Sequence, residues 1–141
     1  MTEQNWLGLR HLALNVVDVE TSCTFYVDLL GFQVEWKPDP DNVYLTTGQD
    51  NLALHKASGD VSGGALDHLG FVVSEIDEVD TWRDRIREYG ASIVKEVRTH
   101  RDGARSFYFS DPDGNVIQLM YHPPLAHLAA GPDPRTTFKD S

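Results

Sequence analysis

The sequence predicts an α+β fold made of two tandem βαβββ modules, and three observations predict it. A strand, a helix and three further strands are legible twice in succession. His11 and His68, 57 positions apart, open equivalent strands. Gly31 and Gly90 close equivalent helices. The repeat is longer than the usual solenoid period, and two copies suit a duplicated domain better than an array.

In the first copy, residues 10–17 alternate. Leu12, Leu14 and Val16 point one way, while His11, Ala13 and Asn15 point the other, which is the period of a half-buried strand. Asp18 stands where an N-cap belongs. Val19, Ser22, Phe25, Tyr26, Leu29 and Leu30 then form one apolar stripe at helical spacing, ended by Gly31. Strands are predicted over 32–36, 43–47 and 52–55, separated by turn-rich segments containing Pro38, Pro40, Asp41, Asn42, Gly48 and Asp50.

The second copy begins at Asp67-His68, with Leu69, Phe71 and Val73 in the places of Leu12, Leu14 and Val16. A helix is predicted over 77–89, with Val79, Trp82, Ile86 and Tyr89 on one face. Strands follow over 92–97, 105–110 and 115–121. The last two are joined by Asp111-Pro112-Asp113-Gly114, in which Pro presets φ and Gly supplies the positive φ a tight turn needs. This gives one domain over 1–125, with module one at 8–56, a linker at 57–66 and module two at 67–122. Residues 123–141 form a proline-rich arm with a short helix expected over 125–130.

Composition bounds the function. The chain has 141 residues, 40% of them apolar and 24% charged, a globular balance. Its net charge of −10 argues against nonspecific nucleic-acid binding and against an anionic membrane surface. Cys23 is the one cysteine, so no intrachain disulfide forms, and a reduced cytoplasmic setting is expected. No run of 18 apolar residues is present and the start has no leader pattern. There is no phosphate-binding glycine loop, nucleophile elbow or zinc-finger cysteine spacing.

Two segments, Phe25-Tyr26-Val27-Asp28-Leu29-Leu30-Gly31-Phe32 and Phe107-Tyr108-Phe109-Ser110-Asp111-Pro112-Asp113-Gly114-Asn115, resemble the vicinal oxygen chelate superfamily over roughly residues 8–122. That superfamily holds the glyoxalases, bleomycin-resistance proteins, fosfomycin-resistance enzymes and extradiol dioxygenases. The resemblance implies that each module rolls into half of an open cup. It also implies that the cup holds a divalent metal, chelated by two oxygens of the substrate. Ligands would come from the first and last strands of each module. His11 and His68 match the first-strand positions. Gln118, four residues past the Asp-Pro-Asp-Gly turn, matches a position usually held by Glu. The remaining position falls on Ala53 or His55.

Two imidazoles and an oxygen donor with open positions suit Fe, Mn, Ni or Zn. Gln118 donates an amide oxygen but neither offsets metal charge nor acts as a base, so classical glyoxalase chemistry is not expected. Tyr108, Arg98 and Arg105 are the substrate-binding candidates, the arginines for an anionic oxygen. Where fosfomycin-resistance enzymes carry a Thr two residues past the first histidine, this chain has Ala13. The expected function is a divalent-metal-dependent enzyme acting on a small oxygen-bearing substrate as lyase, isomerase, dioxygenase or thiol transferase. The alternative is a metal-free protein that sequesters a small molecule in the same cup. The resemblance further implies a homodimer.

Overall fold

A computed structural model describes residues 4–61 and 64–128 of the chain. The chain divides into two compact units after Ser58. Most of the predicted arm, and residues 62 and 63 of the predicted linker, lie outside the described residues.

The first unit comprises β1 (His11–Val16), α1 (Val19–Thr24), β2 (Gln33–Asp39), β3 (Asn42–Thr46) and β4 (Asn51–Lys56). Its sheet runs β1-β4-β3-β2, with β1 parallel to β4 and the other neighbours antiparallel. Asp18 caps α1 as expected, its carboxylate accepting from the Glu20 amide at 3.1 Å and from the Thr21 hydroxyl at 2.7 Å. The spacing predicts a single helix up to Gly31. In the structure the helix widens into a π-helical turn over Phe25–Leu29. The wider turn lets the adjacent Phe25 and Tyr26 both face inward, their rings edge to face at 5.3 Å. These rings close over Leu14, Val16, Val43, Leu45, Leu52 and Leu54, all buried.

The second unit repeats the plan with β5 (Leu69–Val73), α2 (Asp77–Tyr89), β6 (Ile93–Thr99), β7 (Arg105–Ser110) and β8 (Val116–Tyr121). Its sheet runs β5-β8-β7-β6, again with the first strand parallel to the last. Gly90 closes α2 at φ +100°, a left-handed conformation that a side chain disfavours. The core is Val79 and Ile86 from the helix against Phe107, Phe109, Ile117 and Leu119. Of the four residues expected on one helix face, Val79 and Ile86 are buried. Tyr89 is 50% exposed, and Trp82 is half-buried with Arg85 over its ring at 4.8 Å.

The end of β2 also differs from expectation. Pro38 argues for ending β2 at Trp36, yet the strand continues to Asp39. β2 is an edge strand, where a missing amide donor breaks no ladder. Both β2 and β6 carry two register shifts, at matching places in the two units. The predicted short helix over 125–130 is instead a 3-10 turn at Pro123–Leu125, and residues 129 and 130 lie outside the described residues. No helix among the described residues is long and apolar enough to cross a membrane.

Candidate functional site

The apolar side of each sheet carries the helix, which leaves the other side to polar and aromatic residues. In the first unit, pairing puts His11 opposite Asn51, Ala13 opposite Ala53 and Asn15 opposite His55. β3 adds Asn42 opposite His55 and Tyr44 opposite Ala53. His11 is exposed, and its Nδ1 lies 2.8 Å from Asn51 Oδ1. Asn51 Nδ2 in turn donates to Glu35 Oε2 at 2.6 Å. His55 is half-buried, with Nδ1 2.6 Å from Asn42 Oδ1, and Asn42 Nδ2 donates to Asp39. The His55 ring also meets Tyr44 edge to face at 5.8 Å, and Tyr44 stacks on Trp36 at 5.4 Å. Ala53 and His55 lie on the same face, so of the two residues left open by the sequence His55 brings the donor.

In the second unit, His68 directly precedes β5. Its Nδ1 lies 2.6 Å from Asp67 Oδ2, and its ring stands edge to face with Tyr108 at 5.3 Å. Tyr108 is opposite Gln118, which is opposite Gly70. His68, Tyr108 and Gln118 are thus gathered at one end of this sheet face. The Gln118 side chain makes no hydrogen bond to another described residue. Lys95 holds its ammonium 5.2 Å from the centre of the Tyr108 ring, and Arg98 is opposite Ser106. Ser106 is buried, 3.2 Å from His100 Nε2.

Arg105 lies elsewhere. It faces α2, where Nε and Nη2 each donate to Asp80 at 2.8 Å and Nη1 donates to Thr99 at 2.7 Å. This bidentate pair holds the Asp80 carboxyl below its ordinary value and raises the guanidinium. Of the two arginines expected to meet an anionic oxygen, Arg98 is the one on the same sheet face as Tyr108.

Three histidines share one pattern: His11, His55 and His68 are each engaged through Nδ1, and Nε2 has no partner among the described residues. Among the described residues no three His, Cys, Asp or Glu side chains form a group able to hold a metal ion. Cys23 is half-buried, and burial pushes its thiol up, so it stays protonated near neutrality. Sequence reasoning missed Glu35, Asp39, Asn51 and Lys95, and treated Asn42 as a turn residue. Glu35, Asn51 and Lys95 meet partners on other strands that the register brings together, while Asp39 meets Asn42 across the turn between β2 and β3. Asp67 was legible as the neighbour of His68.

A family model described as Glyoxalase/Bleomycin resistance protein/Dioxygenase superfamily matches residues 8–119. Glutathione transferase FosA of Serratia marcescens is 34% identical over 127 residues, covering 87% of this chain and 86% of that protein. The trivalent organoarsenical cleaving enzyme of Bacillus sp. strain MD1 is 33% identical over 115 residues, covering 79% of this chain and 71% of that protein. Among solved structures, lactoylglutathione lyase from Agrobacterium tumefaciens superposes with a TM-score of 0.70 at 21% identity, covering 84% of this chain and 96% of that one. That likeness is one of fold.

Proposed function

Because the chain belongs to the glyoxalase/bleomycin resistance protein/dioxygenase superfamily, we propose that it is a divalent-metal-dependent enzyme acting on a small oxygen-bearing substrate. The observation that carries this reading is the state of His11 and His68. Each is hydrogen-bonded through Nδ1, as metal-binding histidines are, with Nε2 unengaged by any described residue. The donors proposed are His11, His68 and Gln118, whose side-chain amide has no competing hydrogen bond among the described residues. His55 has the same character as His11 and is the fourth candidate.

The donor chemistry fits such an ion. Two neutral imidazoles and an amide oxygen suit Fe, Mn, Ni or Zn, and the missing carboxylate makes the hold weaker than in a site with Glu. A bound ion would polarise a substrate oxygen as a Lewis acid. The chain's own residues do the rest. Tyr108 donates a hydroxyl hydrogen bond, Arg98 and Lys95 meet negative charge on the substrate, and Gln118 orients without taking a proton.

The named activities of the relatives, glutathione transfer and trivalent organoarsenical cleavage, set the first substrate screens. Elemental analysis of untagged protein purified without chelator tests the reading. About one divalent metal per chain, lost in His11→Ala and in His68→Ala, supports it. Protein that holds no metal and takes up none on titration sinks it.

The second reading is a metal-free small-molecule-binding protein. It is favoured by Gln118 standing where the family usually has a carboxylate, and ligand screening by thermal shift tests it. A homodimer is proposed on either reading, checked by a solution mass near twice 15.8 kDa.

A further inference from the structure

We propose that Glu35 and Asp39, two carboxylates of β2, are positioning residues that fix the tautomers of His11 and His55 through Asn51 and Asn42. Groups that can only accept a hydrogen bond decide both tautomers. An ionised carboxylate only accepts. The Asn51 atom 2.6 Å from Glu35 Oε2 is therefore the amide nitrogen, and the amide oxygen faces His11 Nδ1 at 2.8 Å. That oxygen also only accepts, so Nδ1 carries the ring proton and Nε2 keeps its lone pair.

The same necessity runs from Asp39. Both of its oxygens accept from Asn42 Nδ2, at 2.9 and 3.1 Å, which turns Asn42 Oδ1 toward His55 Nδ1 at 2.6 Å. Turning either amide over would set oxygen against carboxylate, so the carboxylates are what orient the amides.

The device is built twice into one sheet. His11 and Asn51 are direct partners across β1 and β4, and His55 and Asn42 are direct partners across β4 and β3. The edge strand supplies the carboxylate in both cases. Asp39 is itself held by the Asp41 amide at 2.8 Å, which fixes the far end of its relay. The outcome is two Nε2 lone pairs presented on the polar side of the sheet. One belongs to the proposed metal donor His11. The other is an acceptor beside the Tyr44–Trp36 stack, suited to an O–H or N–H group of a bound ligand. The consequence for metal rests on the reading of the preceding subsection; the tautomers do not.

The test uses the full chain labelled with ¹⁵N-histidine, at about pH 8, above the ordinary imidazole range. Long-range ¹H–¹⁵N correlation reads each tautomer. The expected result is a single Nδ1–H form for both His11 and His55. Glu35→Leu and Asn51→Leu turn His11 into a tautomer mixture and leave His55 as it was. Asp39→Leu and Asn42→Leu do the reverse. Glu35→Gln keeps the His11 form, because its amide oxygen still accepts from Asn51. A purely structural role would disturb both histidines or neither, and the unaffected histidine reports that each variant is folded.

A Zn²⁺ titration of the same proteins is the second readout. Glu35→Leu weakens uptake about 10–100-fold. A wild-type His11 or His55 in the Nε2–H form, or a His11 indifferent to Glu35→Leu and Asn51→Leu, overturns the proposal. If the wild type takes up no Zn²⁺, the metal reading falls and the tautomer result stands by itself.

Discussion

Asp67 and His68 are adjacent in the chain and bonded in space, with Asp67 Oδ2 2.6 Å from His68 Nδ1. Among the described residues His11 has no carboxylate beside it and meets one through Asn51. The Asp67 side chain is 94% exposed, so its bond to His68 fixes orientation and adds little stability. Asp67→Ala is expected to weaken metal uptake about tenfold, the low end for such a partner. Unfolding free energy should stay within about 0.5 kcal/mol of wild type. Calorimetric titration with Zn²⁺ and a denaturant curve read the two quantities. Unchanged affinity would remove His68 from the donor set.

Gln118 sets the strength of the proposed centre. Gln118→Glu puts a negative oxygen where a neutral one stands, next to Tyr108 and Gly70 in register. Metal affinity is expected to rise at least about tenfold, since a charged donor attracts a divalent ion far more than a dipole does. A flat response in the same titration would show that this side chain lines the face without touching the ion.

The Asp80–Arg105 pair ties α2 to β7 and makes stability depend on pH. The pair holds Asp80 below its ordinary value of 3.8 in the folded chain. A depressed carboxyl stabilises the fold fully above the unfolded value, and the contribution is lost as pH falls through the folded one. Asp80→Asn is therefore expected to cost about 0.5–1 kcal/mol at pH 7, discounted because both partners are partly exposed. The difference from wild type should begin to shrink near pH 3.8 and vanish only below the lower value of the folded chain. Urea unfolding in a series from pH 7 down to about pH 2 measures both limbs, and a difference constant over the whole series would assign the cost to packing instead.

Gly31 and Gly90 test the helix ends without disturbing the packing. Their φ values are +80° and +100°, and a Cβ built on either meets no heavy atom within 4 Å. Gly31→Ala and Gly90→Ala should each cost about 1–2 kcal/mol from the backbone alone. Thermal unfolding would show this as a fall of about 2–4 °C per kcal/mol. No change in Tm would mean that the helix end relaxes to a right-handed turn.

Much of the fold was legible because its signals are local. The alternation of Leu12, Leu14 and Val16, the cap at Asp18, the closing glycines and the Asp-Pro-Asp-Gly turn each sit within a few residues of what they determine. The turn owes its form to Asp111, whose carboxylate accepts from the Asp113 and Asn115 amides at 3.0 and 2.9 Å. The π-helical turn and the strand beyond Pro38 were not legible. Both depend on context that spacing leaves out: two adjacent rings turned inward, and a strand at the sheet's edge.

The site divides in the same way. His11 and His68 were marked by their places in a repeated pattern, and Gln118 by the family resemblance. The partners that orient His11 and His55 come from strands distant in sequence, and only the register joins them. Arg105 sits one residue from the face Ser106 occupies, and that single step turns it from the polar side to the helix.

The matched irregularities of β2 and β6 bear on a hazard that every open sheet faces. A flat outer strand is a template on which another chain can grow a further strand, and from there a fibre. In this chain both of those rims break register twice, and Pro38 removes an amide donor from one of them. Strand addition along either rim would need a newcomer with the same irregular spacing. Copies of this protein can therefore meet at high concentration without being stitched together along β2 or β6. Because the safeguard appears in both halves, it belongs to the repeated unit as much as the histidines do.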